Sequence, residues 1–380
     1  MAIQTEIKVG VFDPDLKTDV IDKGMCTGCG SCISVCPTQV LKFVNNIPTL
    51  QERPGEVPEG EPPVGKCIEC KLCYFACPVT ESLNPRMKEL FGSEDVLGNY
   101  LKLYKAKTEV PEIAEVAQDG GIVSTILAYA LQQNLIDGAI VSVTSKENPW
   151  IPEPKIITSY EELLKSAGTR YSLSPNIASL AQYRDVVEEL LAQRPVGEDW
   201  LRLAFVGTPC QTRGVRKLQS ALDGADIRPA NLITLTLGLF CMENFDAAKL
   251  HQLVQEKTGW TINQIRKMDI KKGALHIFPK DGGDTKTIPL EETTDAVRSG
   301  CHSCEDLTAW YADISVGSIG TPGGWSTVFV RTQKGKDIFE GAVRANMIKK
   351  ESLTEKGESL LRRLTSKKQE TGKKYKDAHA

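Results

Sequence analysis

Eight of the chain's twelve cysteines fall into two copies of one pattern. The first is Cys26-x2-Cys29-x2-Cys32-x3-Cys36-Pro37, and the second is Cys67-x2-Cys70-x2-Cys73-x3-Cys77-Pro78. Three thiols at intervals of three residues wrap one face of a cubane iron–sulfur cluster from a tight loop. The fourth, followed by proline, leaves that loop and reaches the other cluster of a pair. The spacing therefore predicts two [4Fe–4S] sites, one held by Cys26, Cys29, Cys32 and Cys77, the other by Cys67, Cys70, Cys73 and Cys36. Structural zinc held by four thiolates per site is the competing reading. The doubled spacing with both prolines argues against it. A disulfide framework fits worse, because such frameworks belong to short secreted chains.

Two clusters need only a small domain, and 380 residues leave room for a larger one. A hydrophobic fraction of 41% and a charged fraction of 25% are ordinary for a globular protein. A formal net charge of −3 gives no global attraction to nucleic acid. The first residues lack the basic and apolar regions of a secretory signal. The longest apolar stretch, around 232–240, is too short to span a bilayer. Twelve cysteines without an export signal point to a reducing, anaerobic cytoplasm. The expected location is cytoplasmic, either free or peripheral on the cytoplasmic face of a membrane complex.

Along the chain the expected organisation is an extended leader (1–23), a two-cluster ferredoxin-like domain (24–84), a connector (85–107), a large domain (108–347) and a basic tail (348–380). A Pro/Gly/Glu-rich insert, 51–65, separates the two cysteine motifs. In the large domain, apolar runs at 135–143, 203–206, 232–240, 274–278, 314–316 and 327–330 read as strands. Amphipathic stretches at 122–132, 160–165, 186–191, 212–221 and 246–257 read as helices. The fold class expected is mixed α/β and α+β, without a clean βαβ series. No G-x-G-x-x-G follows a strand, so the standard dinucleotide fingerprint is missing. The tail's many lysines and arginines read as a solvated run, with docking to an acidic partner as the functional alternative. Leu360, Leu361 and Leu364 offer it one apolar stripe.

Four cysteines remain: Cys210, Cys241, Cys301 and Cys304. Two stand at strand ends and two form a CxxC, a complete thiolate set for a third [4Fe–4S] cluster. Zinc or unconnected core cysteines are the alternatives. Several other elements suit a phosphate or a ring. Asp119-Gly120-Gly121 opens the helix at 122, where backbone N–H groups favour an anion; a plain Asp cap is the alternative. Gly168-Thr169-Arg170-Tyr171 combines a close-approach glycine, a hydroxyl, a guanidinium and an aromatic ring. Lys272-Gly273 precedes a strand, and a glycine-rich run from Gly317 to Trp325 follows one; each is equally readable as a turn. The four histidines are isolated, and no general acid or base is identified.

Taken in order, Gln118-Asp119-Gly120-Gly121, Gly207-Thr208-Pro209-Cys210-Gln211, Gly238-Leu239-Phe240-Cys241, Lys272-Gly273 and 312–327 resemble the family of coenzyme F420 hydrogenase and dehydrogenase beta subunits. The resemblance covers about 108–345. It implies bound FAD, hydride exchange with the deazaflavin F420, and a [4Fe–4S] cluster beside the flavin on the third cysteine set. Within it, Gln118, Asp119, Gly120, Gly121, Gly168, Thr169, Arg170, Tyr171, Thr208, Lys272 and Gly273 are the expected cofactor-binding positions. An N-terminal two-cluster domain followed by this unit and a short tail is similar to the electron-input subunit of F420H2 dehydrogenases, which feeds a membrane respiratory complex in methanogenic archaea.

The function expected is oxidation of F420H2 by FAD, with electrons passing through three [4Fe–4S] clusters to a larger partner complex. Hydride delivers two electrons together and clusters take them singly, so a flavin is required between them. Two alternatives stay open: a ferredoxin:F420 oxidoreductase working in reverse, and a flavin-free polyferredoxin adapter.

Overall fold

The computed structural model describes residues 10–52, 65–145, 147–148, 150–182, 190, 201–220 and 230–379. Its strands are β1 (Leu41–Val44), β2 (Ile47–Leu50), β3 (Lys102–Thr108), β4 (Gly138–Thr144), β5 (Pro152–Ile157), β6 (Leu203–Gly207) and β7 (Ile233–Leu239), then β8 (Ile265–Lys271), β9 (Ala274–Pro279), β10 (Lys286–Pro289), β11 (Ile314–Gly317), β12 (Ser326–Val330) and β13 (Ile348–Ser352).

Eight of them form one mixed sheet in the order β13-β3-β12-β11-β7-β6-β4-β5. Its centre is parallel: β11 pairs with β7, β7 with β6, and β6 with β4. Antiparallel strands flank it on both sides. Every residue of β6 and β12 is buried, as expected for strands covered on both faces. The helices Ile122–Gln132 and Gln333–Arg344 cover one face, with Ile126, Leu127, Phe339 and Ala342 in a shared core. On the other face, Val215 and Leu218 of the helix Pro209–Ser220 pack with Phe205. A separate antiparallel sheet, β10-β9-β8, packs with the helix Ala247–Thr258 around Val254, Met268 and Ile277.

The N-terminal domain docks on the helix Pro209–Ser220. Cys29, Val35 and Ala76 share a core with Ile177, Val215 and Leu218 of the large domain. The backbones come very close: a Cβ on Gly300 would stand 2.2 Å from the Cys26 carbonyl oxygen.

Three expected boundaries change. The leader is not extended over its described part. Phe12–Ile21 forms a widely wound helical segment, and Phe12, Leu16 and Val20 bury one face against Val40, Cys73 and Tyr74. Their spacing of four residues is a helical stripe. The connector ends in β3, which lies between β12 and β13 inside the main sheet. The tail is a sheet strand, β13, followed by a helix of 24 residues, Glu355–Ala378. Gly357, Leu361, Thr365, Lys368 and Gly372 are its buried face, so it is a packed helix rather than a solvated run. Among the strands expected from the sequence, all six are found with shifted ends, while β3, β5, β8, β10 and β13 were hidden by charged or proline-containing stretches. The helix expected at 186–191, apart from residue 190, and most of the insert at 51–65 lie outside the described residues.

Candidate functional site

Each N-terminal cysteine set lines one cavity. Cys26, Cys29, Cys32 and Cys77 line one partly open pocket. Cys36, Cys67, Cys70 and Cys73 line a second. The fourth cysteine of each motif lines the pocket of the other motif's first three. Left-handed turns at Gly28 and Gly30, at φ +70 and +91, fold the first loop back on itself. A Cβ on Gly30 would also lie 2.7 Å from the Ala178 backbone nitrogen. Among the described residues, no three His, Cys, Asp or Glu side chains converge tightly enough to hold a single metal ion. Thiols spread around a walled cavity are the donor arrangement a four-iron cube needs, so the residues fit that group.

The electrostatics agree with this grouping. Burial pushes the Cys26 thiol up to about 12, with Cys77 and Cys29 adding to it. Cys73 rises to about 12 by burial, helped by Cys70, Cys36 and Cys67. Cys29 and Cys32 are raised by burial and by their neighbours in the same set. Thiols crowded this way need a cation among them before they can ionise together.

The third set is also brought together. Cys210 follows β6 and Cys241 follows β7, both at carboxyl ends of parallel strands. Cys301 and Cys304 sit in a short turn that faces them. Burial raises Cys210 to about 12, with Cys29 and then Cys304 acting on it. Cys241 is raised by burial and by Cys301, Cys210 and Cys304, and is relieved by Lys368. Each thiol has a polar neighbour: Thr208 Oγ1 lies 3.3 Å from Cys210 Sγ, and the Asn244 N–H donates to Cys301 Sγ at 3.3 Å. Thr208, an expected cofactor contact, thus partners the cysteine beside it.

The other expected cofactor positions lie around the ends of β3, β4 and β8. Gly120 meets the end of β3 and the start of β12: its carbonyl accepts from Thr108 N–H at 2.7 Å, and its N–H donates to Ser326 Oγ at 3.1 Å. A Cβ there would be 2.6 Å from the Ala106 carbonyl oxygen, and Gly121, at φ +70, faces Thr108 and Ile113. Both glycines are therefore required by strand packing. The expected reason, close approach of a ligand, is not needed to explain them. Asp119 does not cap the helix, whose N-cap is Gly121 without a side-chain bond. Instead Gln118 Nε2 donates to Asp269 Oδ1 at 3.1 Å, and burial followed by Asp269 pushes the Asp119 carboxyl up. Tyr171 Oη accepts from Ile270 N–H at 2.9 Å. Lys272 and Gly273 form the left-handed turn just beyond β8.

Arg170 reaches the end of β4. Its Nη1 donates to the carbonyls of Ser166 and Gly168, at 2.6 and 2.9 Å, while its Nε is buried without a partner. Gly168, beside Thr169, and Gly323 and Gly324, after β11, have open space where a Cβ would point. Lys105, Lys107 and Lys349 surround the Trp325 ring at 4.8, 5.5 and 5.8 Å from its centre. A guanidinium, a lysine trio and open glycine turns on one strand edge fit a ligand with phosphates and flat rings.

Sequence reasoning missed Lys217 and Lys368. Both are buried, yet no local pattern marks either as different from an exposed helix lysine.

Comparison with known proteins gives these features a family. Residues 103–181 match the N-terminal region, and 201–356 the C terminus, of the coenzyme F420 hydrogenase/dehydrogenase beta subunit. Residues 19–42 match a 4Fe-4S binding domain. The chain is 40% identical over 281 residues to the beta subunit of coenzyme F420 hydrogenase from Methanothermobacter thermautotrophicus, covering 73% of this chain and 95% of that protein. It is 31% identical over 328 residues to a subunit of the F(420)H(2) dehydrogenase of Methanosarcina mazei, covering 86% and 85%. A chain of the xenon-derivatised F420-reducing [NiFe] hydrogenase complex from Methanosarcina barkeri superimposes with a TM-score of 0.66 at 34% identity, covering 74% of this chain and 93% of that one. Among the described residues no helix is long and apolar enough to cross a membrane. The chain belongs to the family of coenzyme F420 hydrogenase/dehydrogenase beta subunits.

Proposed function

We propose that the chain is an electron-input subunit that oxidises F420H2 and passes the electrons to a larger redox complex. The observation that carries this is the carboxyl edge of the parallel strands. It holds Cys210 and Cys241 beside the open glycine turns, and it places Cys210 against Cys29 of the N-terminal domain. FAD, when bound, would take hydride and give up electrons singly, which is the chemistry needed between a deazaflavin and iron–sulfur clusters.

In this reading Arg170, the Gly168–Tyr171 stretch and the turn at Gly323 and Gly324 hold the flavin. Gln118 locks β8 beside it through Asp269. Three cysteine sets hold three [4Fe–4S] clusters, in the order Cys210/Cys241/Cys301/Cys304, then Cys26/Cys29/Cys32/Cys77, then Cys36/Cys67/Cys70/Cys73. The last set reaches the surface, where Cys70 is exposed, and that is the exit. The chain's residues supply position and potential; no side chain is assigned a proton-transfer role. Lys367, Lys373 and Lys374 are exposed along the outer face of the C-terminal helix and suit an acidic partner surface.

The test is an anaerobic preparation with flavin and iron extracted and counted, then mixed rapidly with F420H2. Bleaching of the flavin band followed by cluster reduction is expected. A preparation with iron and no flavin would sink the reading and leave a polyferredoxin adapter in its place.

A further inference from the structure

Lys217 and Lys368 are the two buried lysines among the described residues. Each lies against one cysteine set. Lys217 rises from the helix Pro209–Ser220, crosses into the N-terminal domain and ends in a cage of oxygens. The carbonyls of Cys77 and Thr80 each accept from its Nζ at 2.7 Å, and the hydroxyls of Thr80 and Ser82 lie at 3.3 Å.

The cage selects the charged form. Carbonyls only accept. The Thr80 hydroxyl lies 2.9 Å from the Tyr74 carbonyl and 3.0 Å from that of Cys77. The Ser82 hydroxyl lies 3.2 and 3.1 Å from the carbonyls of Tyr74 and Phe75. The two hydroxyls also lie 2.7 Å apart, so one donates to the other; with one proton spent there and the other directed to a carbonyl, both offer lone pairs to Nζ. An ammonium with three donors satisfies such a cage, whereas a neutral amine leaves acceptors facing its own lone pair. Burial, and after it Arg213, pushes the Lys217 ammonium down to about 7, and the negative groups that oppose this are Cys77 and Cys29 first, with Glu81 after them; the acceptor cage is what favours the charged form. A buried charge is costly unless an opposite charge answers it.

Lys368 repeats the arrangement at the third set. It comes from the C-terminal helix and donates to the Cys241 carbonyl. Against its burial, it is held in its charged form by Cys304, Cys241, Asp306 and Cys301. The set at Cys36, Cys67, Cys70 and Cys73 has no buried lysine beside it among the described residues.

We propose that Lys217 and Lys368 are built-in counter-charges that raise the reduction potentials of the two inner clusters, which lie side by side with Cys29 against Cys210. The proposal rests on the cluster assignment of the preceding section. Reduction adds negative charge to a cluster, burial makes that charge expensive, and a second negative cluster nearby makes it more so. A fixed ammonium behind each inner site offsets both effects. The exposed outer site has water for the same purpose.

The experiment is an anaerobic redox titration of the whole chain followed by electron paramagnetic resonance, with iron counted in the same samples. Lys217→Met should move one midpoint to more negative potential and leave the other two in place. Lys368→Met should move a different one. Lys217→Arg and Lys368→Arg keep the charge and should stay close to the unsubstituted protein. A methionine variant that loses its cluster while the arginine variant keeps it also supports the proposal. Methionine and arginine variants that behave alike, whether unshifted, equally shifted or equally depleted of iron, overturn it. An unsubstituted protein with no cluster signal overturns the cluster assignment instead, so the two failures are distinguishable.

Discussion

Cys210, at the carboxyl end of a central strand of the large domain, lies against Cys29 of the N-terminal domain, and the Thr27 hydroxyl reaches both thiols. One hydroxyl thus sits between the third cysteine set and the first. Clusters on these two sets would be neighbours without any intervening carrier.

Metal content follows directly. On the proposed reading, three sets would hold about twelve iron and about twelve sulfide per chain. Cys241→Ala removes one thiol of the third set and should lower iron to about eight, with the two N-terminal clusters retained. Twelve iron in that variant would remove Cys241 from the ligand set.

Electron exit should depend on Cys70. Cys29 lies in the packed domain contact, so its loss would disturb more than a ligand, whereas Cys70 is exposed. In rapid mixing with F420H2, Cys70→Ala should still bleach its flavin and reduce the two inner clusters at close to the original rate. Transfer to a protein acceptor should fall at least tenfold. Slowed flavin reduction with full flavin occupancy would contradict the proposed order of sites.

Domain docking should be sensitive to a single methyl group. In Gly300→Ala the new Cβ would meet the Cys26 carbonyl oxygen, a backbone atom with little freedom to move. Overpacking of this kind costs about 1–3 kcal/mol. Thermal unfolding should shift down accordingly, and reduction of the N-terminal clusters should slow more than reduction of the flavin. Unchanged unfolding and unchanged transfer would show that the contact is loose.

The C-terminal helix is tied down by an ion pair with a defined pH dependence. Arg362 donates to both oxygens of Asp95, at 2.8 and 3.1 Å. Burial opposes ionisation of Asp95, but Arg362 outweighs it and the carboxyl ends below its usual value. A depressed carboxyl stabilises above its unfolded value of about 3.9 and loses that contribution as pH falls further. Both side chains are more than a third exposed, so the contribution is about 0.5 kcal/mol or less. The unfolding temperature should be lower in Asp95→Asn at pH of about 6, and the gap to the unsubstituted protein should close near pH of about 3. A gap that persists there would assign the effect to packing.

The cysteine spacing was enough to sort eight thiols into two crossed sets, because a cubane's size dictates loop length and the proline marks the departing ligand. Local sequence also set the central strands, whose buried apolar runs need no long-range information. The stripe of Phe12, Leu16 and Val20 was equally present in the sequence, and went unread because the segment precedes the first motif. Other features had no local signature. β3 and β13 are rich in lysine, and only their pairing at the edge of the sheet makes them strands. Gly120 and Gly121 look like a ligand cradle in sequence, but the paired ends of β3 and β12 beside them are what exclude a side chain. Lys217 and Lys368 resemble any helix lysine until the fold closes over them. The grouping of the eight N-terminal thiols was therefore legible locally, from spacing and residue type. Which set faces which, and which charges are sealed in beside them, depends on contacts between segments more than a hundred residues apart, such as Lys217 with Cys77, and only the tertiary structure decides that.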